Sequence, residues 1–391
     1  MDWDGPAGGS RQRGPPRVTF GPVPFVSNPM IEKITIRNFL RLPEFQLNQP
    51  GQINLIIGEN DTGKTGLLRL LYAAAKSLET VSRGRQLPSD ASPFKAAFSK
   101  KLDGVFQPRL TTGIGSLVTK GSKDKLSLEL TFKMADGTKS NMRAAFTESA
   151  RTSFSDINEH IEPADEAFNA LFIPAKEVLT AFRAIRFTRT PHNLLGFDDT
   201  YLDLIDSLDV PTSRGNYLPA FKRVNEALEE LFSGEIRQTE KEERFVFFKG
   251  KQEFPMALTA EGIKKIGILT TLIRNRQLRK GTVLFLDEPE TALHPKAIRA
   301  LMGMLVNLAQ AGVQIFLTSH NYFVAKQLVI CARQHAGLRV TGCSLVPDAD
   351  DGLVRPIFSD LRDGLPANPI IEAALEMFNE EVALDFSDLA Q

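Results

Sequence analysis

The chain has 391 residues, 47 basic against 47 acidic, and so a formal net charge of zero. That length leaves room for two or three domains and a large core, and the neutral balance excludes a protein that coats nucleic acid nonspecifically, though not one with a local basic patch. Cys331 and Cys343 supply neither a disulfide framework nor a metal-binding spacing. No apolar run approaches the roughly 18 residues of a membrane span, and no hydrophobic leader opens the chain, so the sequence reads as soluble, cytoplasmic and without a membrane contact.

Residues 1–29 are rich in Pro and Gly and poor in apolar side chains, and they read as a flexible arm. Ile31-Glu32-Lys33-Ile34-Thr35-Ile36 alternates as a strand, a second is expected near Phe45-Gln46-Leu47, and the apolar run 53–57 makes a third. This third strand feeds Gly58-Glu59-Asn60-Asp61-Thr62-Gly63-Lys64-Thr65, and the apolar pattern beyond it predicts a helix from Lys64 to about Leu78. Gly-x4-Gly-Lys-Thr between a strand and a helix is the P-loop arrangement. Its glycines let the backbone wrap a phosphate chain, and the loop amides and helix N-terminus face the negative charge. In such a loop Lys64 reaches the terminal phosphates of a nucleotide and the Thr65 hydroxyl ligates Mg²⁺.

Residues 126–132 alternate cleanly and precede Asp136-Gly137 and a second apolar stretch at 142–146, which together predict a hairpin. Residues 165–232 read as mostly helical, opening with the apolar stretch 168–173, and 245–248 followed by Gly250 reads as a strand and turn. The last third alternates: helix at 259–278, buried strand at 283–286, helix at 296–310, buried strand at 313–317, helix at 322–331. That order implies a parallel sheet covered on both faces. The tail from 358 is acidic, with an amphipathic segment near 370–378 that reads as a solvated helix or a docking surface.

The strand at 283–286 ends in Asp287 and Glu288. Asp287 can support Mg²⁺ beside Thr65, and Glu288 can act as the general base that activates water. Alone, the pair also suits a helix start, because Pro289 and Glu290 follow; with a P-loop in the same chain the catalytic reading prevails. Thr318-Ser319-His320 closes the next strand, so His320 emerges at the same sheet edge, where it can hydrogen-bond a γ-phosphate.

The P-loop, Leu286-Asp287-Glu288-Pro289-Glu290, Leu293-His294-Pro295, Thr318-Ser319-His320 and the opening Ile34-Thr35-Ile36-Arg37-Asn38-Phe39 together resemble an ABC-type ATPase. More narrowly, they are similar to the OLD-like, RecF-like and SMC-head branch of AAA-family ATPases. The resemblance implies an α/β P-loop NTPase: an ABC-type head over 30–335 with an antiparallel β lobe and a helical and β insertion at about 79–257, then an extension with an acidic tail at 336–391. It also implies ATP and Mg²⁺ held between two heads, hence a homodimer or higher homo-oligomer. On this pattern Gln107 sits where a Q-loop meets the metal, and Thr259-Ala260-Glu261-Gly262 stands for the signature loop that completes a partner's site. That motif usually carries Ser and paired glycines, so Thr259, Ala260 and Glu261 depart from it. His294-Pro295 falls in the dimer-facing D-loop region.

Between Thr65 and Asp287 there are no sustained heptads, which excludes long coiled-coil arms. Asp348-x-Asp350, with Asp351-Gly352 next, reads as an acidic turn and not as a nuclease metal pair. The chain is therefore expected not to cut nucleic acid itself. The resemblance implies the ATPase component of an anti-phage defence system acting with a separate effector, a nuclease or toxin. The alternatives are a RecF-like DNA-repair clamp, with cations at Lys120, Lys123, Lys125 and 183–189 as its basic patch, and a slow nucleotide-gated scaffold whose output is dimerisation.

Overall fold

A computed structural model describes residues 30–84, 92–108, 111–134, 137–152, 154–161, 168–189, 196–211, 219–232, 234–239 and 244–389. The predicted arm 1–29 and the Asp136 end of the predicted hairpin turn lie outside these residues. In chain order the first part runs β1 (Ile31–Phe39), β2 (Leu42–Asn48), β3 (Ile53–Gly58), α1 (Lys64–Ser82), α2 (Pro93–Phe106), β4 (Leu126–Lys133), β5 (Lys139–Phe146), β6 (Asp156–His160) and β7 (Asn169–Ile173). The middle holds α3 (Phe182–Arg189), α4 (Asp199–Leu208), α5 (Pro219–Phe232), β8 (Glu235–Thr239), β9 (Arg244–Lys249) and β10 (Gln252–Pro255). The last part is α6 (Glu261–Arg274), β11 (Thr282–Asp287), α7 (Pro295–Gln310), β12 (Gln314–Ser319), α8 (Tyr322–Gln334), β13 (Val340–Pro347), β14 (Val354–Asp360) and α9 (Pro369–Leu389).

The central sheet has the order β14-β13-β3-β12-β11-β7, parallel except for β14 at one edge. Its strands are buried on both faces, which is why their sequences run apolar without alternation. The period-2 geometry still sorts them: Leu284, Leu286, Ile315 and Leu317 join one core with α4 to α8. Val283, Phe285 and Phe316 join the other, with α1 and a five-stranded antiparallel sheet ordered β2-β1-β4-β5-β6. Helix α1 is sandwiched in that second layer, burying Leu67, Leu68, Leu70, Leu71 and Tyr72; each such side chain contributes roughly 1.5–3 kcal/mol. Gln314 of β12 ties the two sheets, exchanging hydrogen bonds with the Ile31 main chain at 2.8 and 3.1 Å.

Three expectations are corrected. The stretch 168–173 does not open a helix: Asn169–Ile173 is strand β7, five buried residues paired parallel with β11. A short apolar run buried on both faces has no period to distinguish strand from helix. The boundary at 335 falls inside the head, because β13 pairs parallel with β3 from Val340↔Ile53 to Leu345↔Gly58, beside the strand that feeds the P-loop. Gly342, Cys343 and Ser344 interrupt its apolar pattern and hid it. Nor is 79–257 one insertion: β4, β5 and β6 complete the antiparallel sheet and β7 closes the parallel one. What is left between β7 and α6 is α3 to α5 with the three-stranded sheet β10-β9-β8, packed into the same core as the parallel sheet.

Candidate functional site

The P-loop joins β3 to α1. A Cβ on Gly58 would stand 2.8 Å from both the Leu345 carbonyl oxygen and Thr62 Oγ1, so the close approach of β13 requires glycine there. Gly63, at φ 86, makes the left-handed step into α1. No side chain caps α1 and no acid stands in its first turn, so its N-terminal amides are left for an anion. Among helices whose caps are described, α2, α4, α7 and α8 each have a capping side chain, and α1 and α6 do not. Lys64 folds back over the loop and donates to the carbonyls of Gly58 at 2.8 Å and Glu59 at 2.7 Å, keeping one of its three donors. Burial holds its ammonium below the ordinary lysine value, against the upward pull of Glu288, Asp287, Glu290 and Glu59. Thr62 donates to the Glu59 carbonyl at 2.8 Å, and Arg41 reaches from the β1–β2 turn to the Asp61 carbonyl and carboxylate at 3.1 and 3.0 Å. Asn60 lies between them as an exposed part of the loop.

Parallel pairing of β11 with β12 and of β12 with β3 brings the three strand ends together, with Asp287 opposite Thr318. The Thr65 hydroxyl donates to Asp287 Oδ1 at 2.9 Å, and Thr318 Oγ1 donates to the same oxygen at 2.7 Å. The Glu288 amide donates to Thr318 Oγ1 at 3.1 Å and to the Thr318 carbonyl at 3.2 Å. Glu288 itself sits at φ 45, a left-handed backbone that costs a non-glycine residue roughly 1–3 kcal/mol and that the neighbouring structure has to sustain. Its Oε1 lies 2.9 Å from His320 Nδ1, which donates when its proton is on that nitrogen. Buried Glu290 accepts from Ser319 Oγ at 2.5 Å, and burial raises its pKa above the ordinary carboxyl value.

Lys64, Thr65, Asp287, Glu288 and His320 are therefore gathered at one sheet edge. Gly58 to Gly63 lie there with them, whereas Gln107, Thr259, Gly262 and His294 are held by other contacts. Gln107 ends α2 at φ 45 and its amide is taken by the 196–197 main chain: Nε2 donates to the Phe197 carbonyl at 2.9 Å and Oε1 accepts from Gly196 N at 3.5 Å. No hydrogen bond joins it to Thr65 or Asp287 among the described residues. Thr259 donates to the Pro255 carbonyl at 2.9 Å. Gly262 packs against Leu293, whose Cδ2 would lie 2.6 Å from a Cβ there and would have to turn aside. Glu261 accepts from Lys264 Nζ at 2.7 Å. His294 caps α7, accepting from Lys296 N at 3.2 Å, with Pro295 at the first helical position. Sequence reasoning missed Thr318 as the bridge between Asp287 and Glu288, Arg41 on the P-loop, and Lys265, whose Nζ donates to the Glu288 carbonyl at 3.1 Å. Only Thr318 carried a signal, a hydroxyl at a strand tip, and it becomes meaningful once β12 is known to lie between β3 and β11.

A parallel sheet with a P-loop, an acid pair and a histidine at one edge, under an antiparallel sheet, defines an ABC-type ATPase head of the OLD, RecF and SMC kind. The chain belongs to the family described as "AAA domain, putative AbiEii toxin, Type IV TA system", which matches residues 53–325. It is 28% identical to the Old nuclease of Escherichia phage P2 over 108 residues, 27% of this chain and 17% of that protein. It is 34% identical to the DNA replication and repair protein RecF of Halalkalibacterium halodurans over 79 residues, 20% of each chain. The matches thus span a fifth or less of these curated relatives. Among solved structures, an Smc head bound to the C-winged helix domain of ScpA shares the fold, with a TM-score of 0.50 at 13% identity over 86% of this chain and 99% of that one. No helix among the described residues is long and apolar enough to cross a membrane.

Proposed function

We propose that this chain is a Mg²⁺-dependent ATPase whose nucleotide is held by residues 58–65 of one copy and closed over by residues 259–262 of a second. The observation that carries the reading is the hydrogen-bonded chain from Thr65 through Asp287 and Thr318 to Glu288, ending 2.9 Å from His320. The oxygen-only set of Thr65 and Asp287 suits a hard divalent cation that keeps several waters and takes further ligands from phosphate. When bound, Mg²⁺ neutralises charge on the terminal phosphates. Lys64 and the uncapped start of α1 bind and orient the phosphate chain. Glu288 accepts the proton of the attacking water as general base, and His320, already at its carboxylate, contacts the γ-phosphate and reports its presence.

The uncapped N-terminus of α6 supports a second anion contact supplied across a dimer. Glu261 does not obstruct it, because Lys264 holds that carboxylate. We assign the output of the cycle to a separate effector, a nuclease or toxin, licensed in anti-phage defence; the Old nuclease similarity and the toxin-system family support this reading. The RecF similarity supports the DNA clamp as the second reading, but part of its proposed basic patch is occupied: Arg186 pairs with Asp209 at 2.7 Å and Arg189 with Asp199 at 2.6 Å.

The decisive experiment compares ATP turnover of wild type and Glu288→Gln. Loss of the base is expected to slow hydrolysis by about 10²–10⁴-fold with ATP affinity retained. Equal, slow turnover in both would sink the enzyme reading and leave the scaffold.

A further inference from the structure

We propose that Lys265 is a positioning residue for hydrolysis, pinning the Glu288 main chain so that the carboxylate stays at His320. This rests on the ATPase reading above. Lys265 is only 8% exposed, and its Nζ donates to the Glu288 carbonyl at 3.1 Å. That carbonyl belongs to a residue held at φ 45, which would relax toward the extended or right-handed wells if released. On the amide side β12 provides the restraint, through Thr318 Oγ1 and its carbonyl. On the carbonyl side Thr291 contributes two bonds, N at 3.2 Å and Oγ1 at 2.9 Å, but it belongs to the same turn and moves with it. Among the described residues, Lys265 is the hydrogen-bond tie to that carbonyl from another element.

The lysine is a costly choice for filling space. Burial holds its ammonium below the ordinary lysine value, and the carboxylates of Glu290, Glu288 and Asp287 only partly counter that. Its neighbour Lys264 is bonded to Glu261 in the first turn of α6 at 2.7 Å and lies 3.7 Å from Glu177 in the segment after β7, with no bond to the Glu288 turn among the described residues. The two adjacent lysines therefore point to different tasks: one stabilises the start of α6, and the other ties α6 to the strained turn that carries Glu288.

The test is steady-state ATP hydrolysis by the full chain, with ATP affinity measured in parallel. Lys265→Met is expected to lower kcat at least tenfold while KM and ATP affinity stay within about twofold. In the Glu288→Gln background the same change is expected to alter residual turnover less than twofold, since Lys265 acts through Glu288. Should Lys265→Met not fold, Lys265→Gln, too short to reach the carbonyl, takes its place with the same expectations. A folded variant with wild-type kcat overturns the inference, as does a loss that persists undiminished in the Glu288→Gln background or one matched by weakened ATP binding. If wild type itself shows no Glu288-dependent turnover, the ATPase reading fails first, a result distinguishable from all of these.

Discussion

Asp287 illustrates how much one side chain does when three strands end together. It accepts from Thr65 on the P-loop side and from Thr318 on the β12 side, while Thr318 also receives the Glu288 amide. Glu290, two residues on, is buried with Ser319 as its hydrogen-bond donor, and burial keeps its folded pKa above the ordinary 4.5. A raised carboxyl pKa contributes stability that is fully present below the unfolded value and is lost as pH rises through the folded one. Urea unfolding of wild type and Glu290→Gln should therefore converge below pH 4.5, with wild type losing stability relative to the variant toward neutrality. Parallel pH profiles would mean that Glu290 titrates alike in both states.

At the scale of elements, the P-loop helix is braced by a buried polar cluster. Lys101 of α2 bonds Asp199 at 3.1 Å and Asp203 at 2.8 Å on α4, and Tyr72 of α1 donates to Asp203 at 2.6 Å. Arg69, one turn beyond Thr65, pairs with Asp198 at 3.0 Å. Gly104 fits against Asp199 because any Cβ would collide with its carboxylate. This docking of α4 on α1 and α2 also explains where Gln107 goes, since residues 196–197 enter α4 directly beside it. Lys101→Met leaves Asp203 without its cation, while Asp199 keeps Arg189, and should cost about 3–5 kcal/mol in equilibrium unfolding. Burial works against the Lys101 charge, but Asp203 and Asp199 outweigh it and raise the pKa above 10.5. Its contribution is thus present below 10.5 and lost as pH rises through the folded value, so the gap between variant and wild type should narrow only in strong alkali. A variant as stable as wild type at neutral pH would show the cluster to be dispensable.

For the whole molecule, α1 and α6, which lack a capping side chain among the helices whose caps are described, are the starts on which the proposed nucleotide-bridged dimer would close. Light scattering of Glu288→Gln should show a doubling of mass on adding ATP and Mg²⁺, and none with nucleotide omitted. An assembly indifferent to nucleotide would place the contacts elsewhere; α9 then comes first, because Leu375, Met377 and Phe378 are exposed along it. The ATPase would in that event work within a fixed complex.

The P-loop, the acid pair and His320 were legible in the sequence because each is a short local pattern whose neighbours set its conformation: glycines before a helix, or polar tips on apolar strands. The five-residue β7, the glycine-interrupted β13 and the Thr318 bridge were not, because their meaning depends on which strands lie side by side. Residue types alone pointed to Gly58–Thr65 as the loop suited to a phosphate. Tertiary packing decided the rest: it held Glu288 in a left-handed turn against Lys265 and Thr318, drew Gln107 to the 196–197 backbone, and put Gly262 against Leu293. Those outcomes rest on contacts between residues far apart in the chain, which no local spacing encodes.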